Sequence, residues 1–319
     1  MRCFRESLVR CQQHGLLVAI DCGTTAPACF LADKHVRVSC CGAPEFSDEV
    51  LNVCKANAIG LVVPTIDTEL PVYAGMREEF YATGVTIAIS SPETVAICCD
   101  KSLTHKWLIS NGFPTVRQAA LSEAVREVET WRYPVILKPV KGSASIGVRL
   151  IPGPEELEKA HASSSGAIVQ EKAEGREFTI NVYVNRRGKC ICAIPHLRME
   201  VRAGEVSKGI TVKNKSLMSV AKAVAQKLPG AWGPLNIQCF LANDGAIRII
   251  EINARFGGGY PLAHRAGAVF TEWLLKERDE AVDLDCDDWE DGLMMLRYDE
   301  AVFVATGGGT HEQTGLQCL

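Results

Sequence analysis

Residues 247–255, Ile-Arg-Ile-Ile-Glu-Ile-Asn-Ala-Arg, place three polar side chains at alternate positions of an apolar segment. Because successive side chains of a β-strand point to opposite faces, Glu251, Asn253 and Arg255 share one face and the isoleucines between them take the other. A carboxylate and an amide offer the oxygen ligands that Mg²⁺ prefers, and a guanidinium grips phosphate through its planar fork. The segment therefore predicts a site for Mg²⁺ and phosphate.

The chain on either side of this segment strengthens that prediction. Gln238 lies on the preceding predicted strand, 235–241. If residues 242–246 form a hairpin loop, Gln238 falls within about one residue of facing Glu251, which brings a third oxygen donor to the same place. After Arg255, a run of three glycines centred on Gly258 provides backbone that can approach a ligand closely.

A second candidate phosphate site is the loop 141–147, Lys-Gly-Ser-Ala-Ser-Ile-Gly, whose small residues allow backbone N–H groups to close over phosphate oxygens. It is not a Walker A loop, since Val148 and Arg149 stand where Lys and Ser/Thr are required. A flexible hairpin tip is the alternative interpretation. Lys138 ends the preceding apolar strand, and because a lysine is costly to bury without a partner, its position beside the loop favours an anion.

Two more segments could bind ligand. Residues 170–178 leave a strand and turn through Gly175, so backbone groups next to a carboxylate could read an adenine edge and ribose hydroxyls; an ordinary charged turn is the alternative. Five potential cations in the 18 residues 196–213 predict a loop for an anionic or carboxylate substrate, with a solvated basic loop as the alternative. They are His196, Arg198, Arg202, Lys208 and Lys213.

The elements that must position these groups form two patterns. Residues 1–90 alternate buried parallel strands with helices, which indicates α/β crossovers. The predicted strands are 16–20, 59–63 and 85–89, with helices near 48–57 and 69–83. Ser91 as N-cap and Pro92 at the first position then predict one helix over 92–111.

The rest of the chain predicts an α+β arrangement that is rich in strands. The predicted strands are 135–138, 148–151, 167–171, 177–184, 189–195, 235–241 and 247–253. The predicted helices are 154–162, 216–228 and a further one near 262–276. The tail after residue 300, with Gly307-Gly308-Gly309, predicts disorder.

Composition limits the classes of function. The net charge of −4 combines a run with nine acidic residues and one basic residue between Glu277 and Asp291 with a body of about +4, too weak to indicate nucleic-acid binding. That acidic run is interpreted as a solvated surface or linker. No stretch of 18 apolar residues exists and the N-terminus does not resemble a signal peptide, so we expect a cytoplasmic protein with no membrane partner. The fourteen cysteines follow no zinc-binding spacing and are expected to be reduced.

Together these segments resemble the ATP-grasp superfamily, most closely proteins similar to the large subunit of carbamoyl phosphate synthase. The resemblance covers roughly residues 16–275. It rests on the order Asp100-Lys101, Lys138-Pro139, Gly142 to Gly147, Gln170-Glu171 with Glu177, Gln238, and Glu251-Ile252-Asn253-Ala254-Arg255.

The resemblance implies an α/β fold in which two α+β subdomains grip ATP behind a Rossmann-like leading domain. We expect the leading domain at 1–90, the ATP-grasp domain at 91–285, with subdomains at about 114–166 and 167–285, and a partly disordered extension at 286–319. The chain begins inside the helix that follows the first strand of such leading domains. We therefore expect a truncated or rearranged leading domain.

The resemblance also implies roles for individual residues. Lys101 and Lys138 would contact the ATP phosphates under a lid that contains Gly142, Ser143, Ser145 and Gly147. Glu171 and Ala173 would meet adenine, and Glu177 the ribose. Gln238, Glu251 and Asn253 would hold Mg²⁺, for which Mn²⁺ could substitute. Arg255 and Lys138 would be catalytic, with Arg255 on the transferred phosphoryl group, and Arg198, Lys208, Arg255 and Gly258 would meet substrate.

The implied activity is an ATP-dependent carboxylate–amine or carboxylate–thiol ligase that works through an acyl phosphate and releases ADP and phosphate. Its partners would be a small-molecule carboxylate and an amine, and the protein would be a homodimer. A non-catalytic ATP-binding regulator, and an ATP-grasp kinase or carboxylase, are the alternatives.

Overall fold

The computed structural model describes residues 1–143, 145–163, 166–278 and 282–304. Its α-helices in this range are α1 (Arg2–Arg10), α2 (Pro27–Leu31), α3 (Phe46–Ala56), α4 (Leu70–Ala82), α5 (Pro92–Cys99), α6 (Lys101–Ser110), α7 (Leu121–Arg126), α8 (Pro154–Ser163), α9 (Lys215–Lys227), α10 (Tyr260–Arg265) and α11 (Phe270–Glu277). Its strands are β1 (Val18–Asp21), β2 (Lys34–Arg37), β3 (Leu61–Val62), β4 (Thr86–Ile87), β5 (Gln118–Ala120), β6 (Val135–Pro139), β7 (Arg149–Ile151), β8 (Ala167–Glu171), β9 (Arg176–Val184), β10 (Cys190–Arg202), β11 (Glu205–Thr211), β12 (Gly233–Leu241), β13 (Ile247–Asn253) and β14 (Met294–Leu296).

The leading region contains two separate parallel pairs of strands, β1 with β2 and β3 with β4. The predicted strands at 16–20, 59–63 and 85–89 correspond to β1, β3 and β4, and the predicted helices to α3 and α4. Helix α1 agrees with the helix that the resemblance implied at the start of the chain, whereas we did not predict α2 or β2. Strand β2 is short and mostly exposed, so it carries no apolar alternation that a sequence pattern would reveal.

The single helix predicted over 92–111 is wrong in one respect, because the structure divides it into α5 and α6. Ser91 caps α5 as expected, accepting a hydrogen bond from the Thr94 amide at 3.2 Å. Asp100 then leaves the helical conformation and caps α6, accepting from the amides of Ser102 at 2.8 Å and Leu103 at 3.0 Å. An aspartate side chain satisfies the free amides of a helix start, so it favours a break at this point.

A four-stranded antiparallel sheet of order β5-β8-β6-β7 forms the smaller subdomain. Its core is built around Trp131, Val135 and Leu157, which are almost fully buried against α7 and α8. Strand β8 at 167–171 pairs within this sheet and not with the larger one. We therefore propose that the subdomain boundary follows Glu171, later than the expected position of about 166.

The larger sheet has six strands in the order β13-β12-β9-β10-β11-β14, all antiparallel. One face of it carries the apolar side chains of β9 and β12, including Phe178, Ile180 and Ile237, which pack in a common core with α9 and the leading region. Part of the other face packs against α10 and α11 through Tyr183, Phe270 and Trp273. Polar side chains of β9 and β12, including Thr179, Asn236 and Gln238, lie elsewhere on that second face.

The loop predicted at 196–213 is wrong, because these residues lie mainly in the antiparallel hairpin of β10 and β11. Apolar residues support the hairpin from within the basic sequence: Val206 is buried, and Leu197 packs against the core. The density of charge concealed this alternation, since long cationic side chains can extend from a strand and keep their charged ends in water.

The C-terminal part also differs from the prediction. Helix 262–276 is interrupted at Gly267, which has φ of +108°, so α10 and α11 are separate. The segment that follows adds β14 to the sheet edge, and its acidic residues form salt bridges with the body of the protein, as between Asp287 and Lys222 at 2.8 Å. Of the tail that was predicted to be disordered after residue 300, residues 305–319, including Gly307 to Gly309, lie outside the described residues.

Thirteen of the fourteen cysteines lie in the described part of the chain, all of them free thiols and seven of them buried. No helix in that part is both long enough and apolar enough to cross a membrane.

Candidate functional site

One cavity of about 290 Å³ is lined by residues of both sheets and of the loops that flank them. It brings together most of the residues predicted from the sequence: Lys101, Lys138, Gly142, Ser143, Ser145, Glu171, Ala173, Glu177, Arg198, Gln238, Glu251, Asn253, Arg255 and Gly258. Gly147 and Lys208 are the two predicted site residues that do not line it.

The side chains that could offer oxygen ligands to a metal lie on β12 and β13, as we predicted from a hairpin over these two strands. Gln238 is the direct cross-strand partner of Glu251, and Asn236 is the partner of Asn253. The Asn253 amide nitrogen donates to the Asn236 amide oxygen at 3.1 Å, and the Asn236 nitrogen donates to the Arg255 carbonyl at 3.2 Å. This chain of hydrogen bonds leaves the Asn253 amide oxygen as an acceptor beside the Glu251 carboxylate.

Lys138 is the penultimate residue of β6, with only 5% of its surface exposed. Burial lowers its pKa to about 8, although the nearby negative charge of Glu251 acts in the opposite direction. None of the salt bridges among the described residues includes Lys138. An ammonium that is held at a cavity wall without a salt-bridge partner is suited to an anionic ligand such as phosphate.

The small-residue loop closes one side of the cavity. Lys101, the first residue of α6, donates from its side-chain nitrogen to the Gly142 carbonyl oxygen at 2.7 Å, so it holds the loop as well as lining the cavity. Gly147 has φ of +74°, and a Cβ atom there would lie 2.9 Å from Pro139 Cγ. Gly147 therefore shapes the end of the loop and does not face the cavity.

The segment between the two sheets is a tight turn at Gly175. Its φ is +105°, and a Cβ atom would overlap the Leu241 carbonyl oxygen. Beyond the turn, Glu177 forms a salt bridge with Arg198, whose Nε lies 3.1 Å from the Glu177 carboxylate. Burial raises the pKa of Glu177; the charge of Arg198 lowers it, and that of Glu251 raises it further.

Arg255 is held by a carboxylate that we did not predict. Asp67, from the loop between β3 and α4, accepts from Arg255 Nε at 2.9 Å and from Nη2 at 2.5 Å. Arg255 Nη1 donates to the Phe256 carbonyl at 2.9 Å. Since a guanidinium has five N–H donors, two remain for a ligand.

The five cations predicted to form one anion-binding loop are dispersed. Lys208 lies outside the cavity and pairs with Glu200 at 2.7 Å. Arg202 pairs with Asp299 at 2.8 Å, and Lys213 lies over the Trp289 ring. His196 is fully buried, and burial lowers its pKa to about 3, so it is neutral. Separate partners therefore engage Lys208, Arg202 and Lys213, and the five charges do not form one site.

Among the residues that line or stabilise the cavity and that the prediction missed are Asp67, Glu205 and Asn236. Asn236 could have been found, because it lies two positions before Gln238 on the same strand and so shares its face. Asp67 could not, because its partner is 188 positions away in the sequence. Glu205 was overlooked because it lies among the basic residues of the hairpin.

The donor set fits a hard cation whose remaining ligands come from a nucleotide. No cluster of three or more His, Cys, Asp or Glu residues in the described ranges could hold a metal ion by itself. Glu251 with the amide oxygens of Gln238 and Asn253 supplies one carboxylate and two neutral oxygens. Mg²⁺ commonly binds one or two carboxylates together with substrate phosphates, so these residues are compatible with Mg²⁺ and ATP.

Comparisons with known proteins agree with this geometry. The profile of the ATP-grasp domain matches residues 98–259, just over half of the chain. The profile described as the PylC-like N-terminal domain matches residues 1–88.

A D-alanine–D-alanine ligase of Pediococcus pentosaceus is 26% identical over 64% of this chain and 60% of its own length. The biotin carboxylase complex from Campylobacter jejuni superposes with a TM-score of 0.75 at 16% identity, covering 92% of this chain and 71% of the carboxylase. An L-amino acid ligase from Bacillus licheniformis gives a TM-score of 0.67 at 20% identity, covering 88% and 71%.

The alignments span between 28% and 60% of the first three curated relatives. At sequence identities of 16% and 20%, the likeness to the solved structures shows the fold. The match to the domain profile over half of the sequence shows the family, and it confirms the resemblance inferred from the motifs. The chain belongs to the ATP-grasp family.

Proposed function

We propose that the protein is an ATP-dependent ligase that joins a small-molecule carboxylate to an amine through an acyl phosphate. The observation that carries this proposal is one cavity with three kinds of lining group. They are Lys138 with Gly142, Ser143 and Ser145 of the small-residue loop, Glu171 with Ala173, and the oxygen ligands Gln238, Glu251 and Asn253. The names of the relatives, two of which are amino-acid ligases, support the same class.

In this proposal the γ-phosphoryl group passes to a carboxylate oxygen of the substrate, which forms an acyl phosphate and leaves ADP. The amine then attacks the acyl carbon; the new C–N bond replaces the C–O bond to phosphate, which departs. Phosphoryl transfer needs positioning and charge neutralisation more than a covalent group on the protein. In agreement with this, none of the roles proposed below is that of a nucleophile or of its general base.

Each lining group has a proposed role. Lys138 and Lys101 neutralise the phosphates, and the loop that contains Gly142, Ser143 and Ser145 covers them. Glu171 and the Ala173 backbone meet adenine. Glu251, with Gln238 and Asn253, would hold Mg²⁺, which when bound supplies charge neutralisation at the phosphate oxygens.

Two roles change from those expected. Glu177 is paired with Arg198, so contact with the ribose would use the carboxylate oxygen that this pair leaves free. Arg198 is engaged by Glu177 and by the Gly204 carbonyl at 2.9 Å, so we assign it to the support of the hairpin and not to substrate.

The test is product analysis. Protein is mixed with Mg-ATP, a panel of the twenty amino acids and simple carboxylates, and hydroxylamine or an amine as acceptor. We expect ADP and phosphate in equal amounts, together with hydroxamate from at least one carboxylate. Release of AMP and pyrophosphate would refute the acyl-phosphate mechanism. Tight ATP binding without any turnover across the panel would refute the ligase.

A further inference from the structure

Both arginines that line the cavity are paired with carboxylates. Arg255 is paired with Asp67 and Arg198 with Glu177. The lysines that line the cavity lie on α6, on β6, on the loop after β6, and at Lys172 beside β8, where we place the nucleotide. The end of the cavity near the glycine run therefore lacks an unpaired lining cation that would attract an anionic substrate.

Glu205 is the unpaired charge at that end. It begins β11 and lines the cavity. A Cβ atom on Gly258 would overlap the Glu205 carboxylate, so the carboxylate lies directly against the backbone of the glycine run. Its negative charge acts on Arg255 and contributes to the raised pKa of that guanidinium, against the effect of burial. Glu205 forms no salt bridge with any residue in the described ranges.

The neighbouring cations of the hairpin are engaged elsewhere. Arg202 is the direct cross-strand partner of Glu205, yet both of its terminal nitrogens donate to Asp299, at 2.8 and 3.2 Å. Arg198 holds the Gly204 carbonyl, which fixes the turn that carries Glu205. Arg297 donates to the Gly258 carbonyl. The carboxylate is thus positioned by its surroundings, and none of the described residues forms a salt bridge with it.

We infer that Glu205 binds an ammonium group of a substrate, so that the ligase acts on compounds with a free amino group, such as unblocked amino acids. This inference rests on the proposed function. The ammonium could belong to the carboxylate donor or to the amine acceptor, since both meet beside Arg255. A carboxylate and an ammonium form a charge-assisted hydrogen bond, which is stronger than a neutral one in a partly enclosed site.

The test compares wild type with Glu205→Gln, which keeps the shape of the side chain and removes its charge. Glu200→Gln is the matched control, since Glu200 lies on the same hairpin, outside the cavity, and pairs with Lys208. Calorimetry with Mg²⁺ and a non-hydrolysable ATP analogue measures the binding of each of the twenty amino acids and of their N-acetyl derivatives.

We expect wild type and Glu200→Gln to bind at least one free amino acid about ten-fold or more tightly than its N-acetyl form, and Glu205→Gln to lose that difference with unchanged affinity for the nucleotide. Wild type that fails to distinguish the two forms would overturn the inference without any variant. So would a Glu205→Gln protein that still distinguishes them.

Steady-state assays identify the source of the ammonium group. If Glu205→Gln raises the KM of the amino acid in hydroxamate formation, the ammonium belongs to the donor. If hydroxamate formation is unchanged and only the KM of the amine rises, it belongs to the acceptor. Preserved binding of amino acids with no ADP release refutes the ligase alone, whereas turnover with equal KM values in both proteins refutes the role of Glu205 alone.

Discussion

At the scale of single residues, the proposed ligase depends most on Glu251. Its carboxylate faces Gln238 across the strand pair and is the one acidic member of the proposed metal site. We predict that Glu251→Gln lowers kcat by a factor of at least about 100, because charge stabilisation of the transferring phosphoryl group is lost. Nucleotide binding should persist through Lys138 and the loop 141–147.

Two measurements test this prediction: the rate of ADP release and the equilibrium binding of the ATP analogue. Glu158→Gln, on the exposed face of α8, serves as the control and should behave as wild type. Normal turnover by the Glu251 variant would remove it from the site.

Lys138 should make ATP binding depend on pH. Because its pKa is about 8, its ammonium is charged below that pH and becomes neutral as the pH rises above it. Affinity for the ATP analogue should therefore fall as the pH is raised from 7 to 9.5, whereas Lys138→Met should bind more weakly at pH 7 and lose most of this dependence. Titration calorimetry at several pH values measures it. An identical pH profile in the two proteins would contradict a phosphate contact by Lys138.

The sequence identified the types of residue at the site better than their partners. Gln238, Glu251 and Asn253 were predictable because strand alternation and a hairpin of fixed length determine which side chains share a face. The pairing of Arg255 with Asp67 could not be predicted, because it depends on how the leading region packs against β13. The basic residues between 196 and 213 misled for a similar reason, because their partners could not be read from the local sequence. Glu177 lies on β9, Glu200 lies elsewhere on the hairpin, and Asp299 lies in the segment after β14.

At the scale of elements, the loop between β3 and α4 reaches the site through Asp67. We predict that Asp67→Asn lowers kcat by about 10- to 100-fold with little change in the Kd for ATP, because Arg255 loses the partner that orients it. Asp67→Glu keeps the charge and should recover part of the activity. Steady-state kinetics and nucleotide binding measure the two effects separately. A change in the Kd for ATP with unaltered kcat would show that Asp67 serves the nucleotide site and not the position of Arg255.

The turn at Gly175 joins the two sheets, and it should not tolerate a side chain. Both its positive φ and the overlap of a Cβ atom with the Leu241 carbonyl oppose substitution. We predict that Gly175→Ala lowers the free energy of unfolding by about 2 kcal/mol or more. Gly245→Ala is the control, because Gly245 also has positive φ, +88°, but has no atom within 4 Å of its Cβ position. Equal losses in denaturant unfolding would mean that the overlap contributes nothing.

Elements whose apolar residues recur at a regular spacing were predictable, whereas breaks and short strands that depend on local geometry were not. Strands β8 and β13 have the bounds that their sequences predicted, because each is apolar and ends at a turn. The breaks at Asp100 and Gly267 were missed, since neither interrupts the apolar pattern on its two sides. Strand β14 was missed because it is three residues long and pairs only with the exposed edge at β11.

At the scale of the whole molecule, the two sheets enclose a cavity that meets the requirements of phosphoryl transfer. Lysines and the small-residue loop lie on one side, oxygen donors on the other, and the leading region contributes Asp67. The chain belongs to the ATP-grasp family, and it shares its fold with a biotin carboxylase and with an L-amino acid ligase. The fold therefore does not distinguish ligation from carboxylation, and an assay of the reaction is needed to do so.

The most direct measurement follows oxygen atoms. With the carboxylate substrate labelled with ¹⁸O in both oxygens, a reaction through an acyl phosphate transfers one labelled oxygen to the released phosphate for each amide bond formed. Mass spectrometry of the phosphate should then show one ¹⁸O atom per molecule, together with an equal amount of ADP. Unlabelled phosphate, or label that appears in AMP, would contradict the central claim that this protein is an acyl-phosphate ligase.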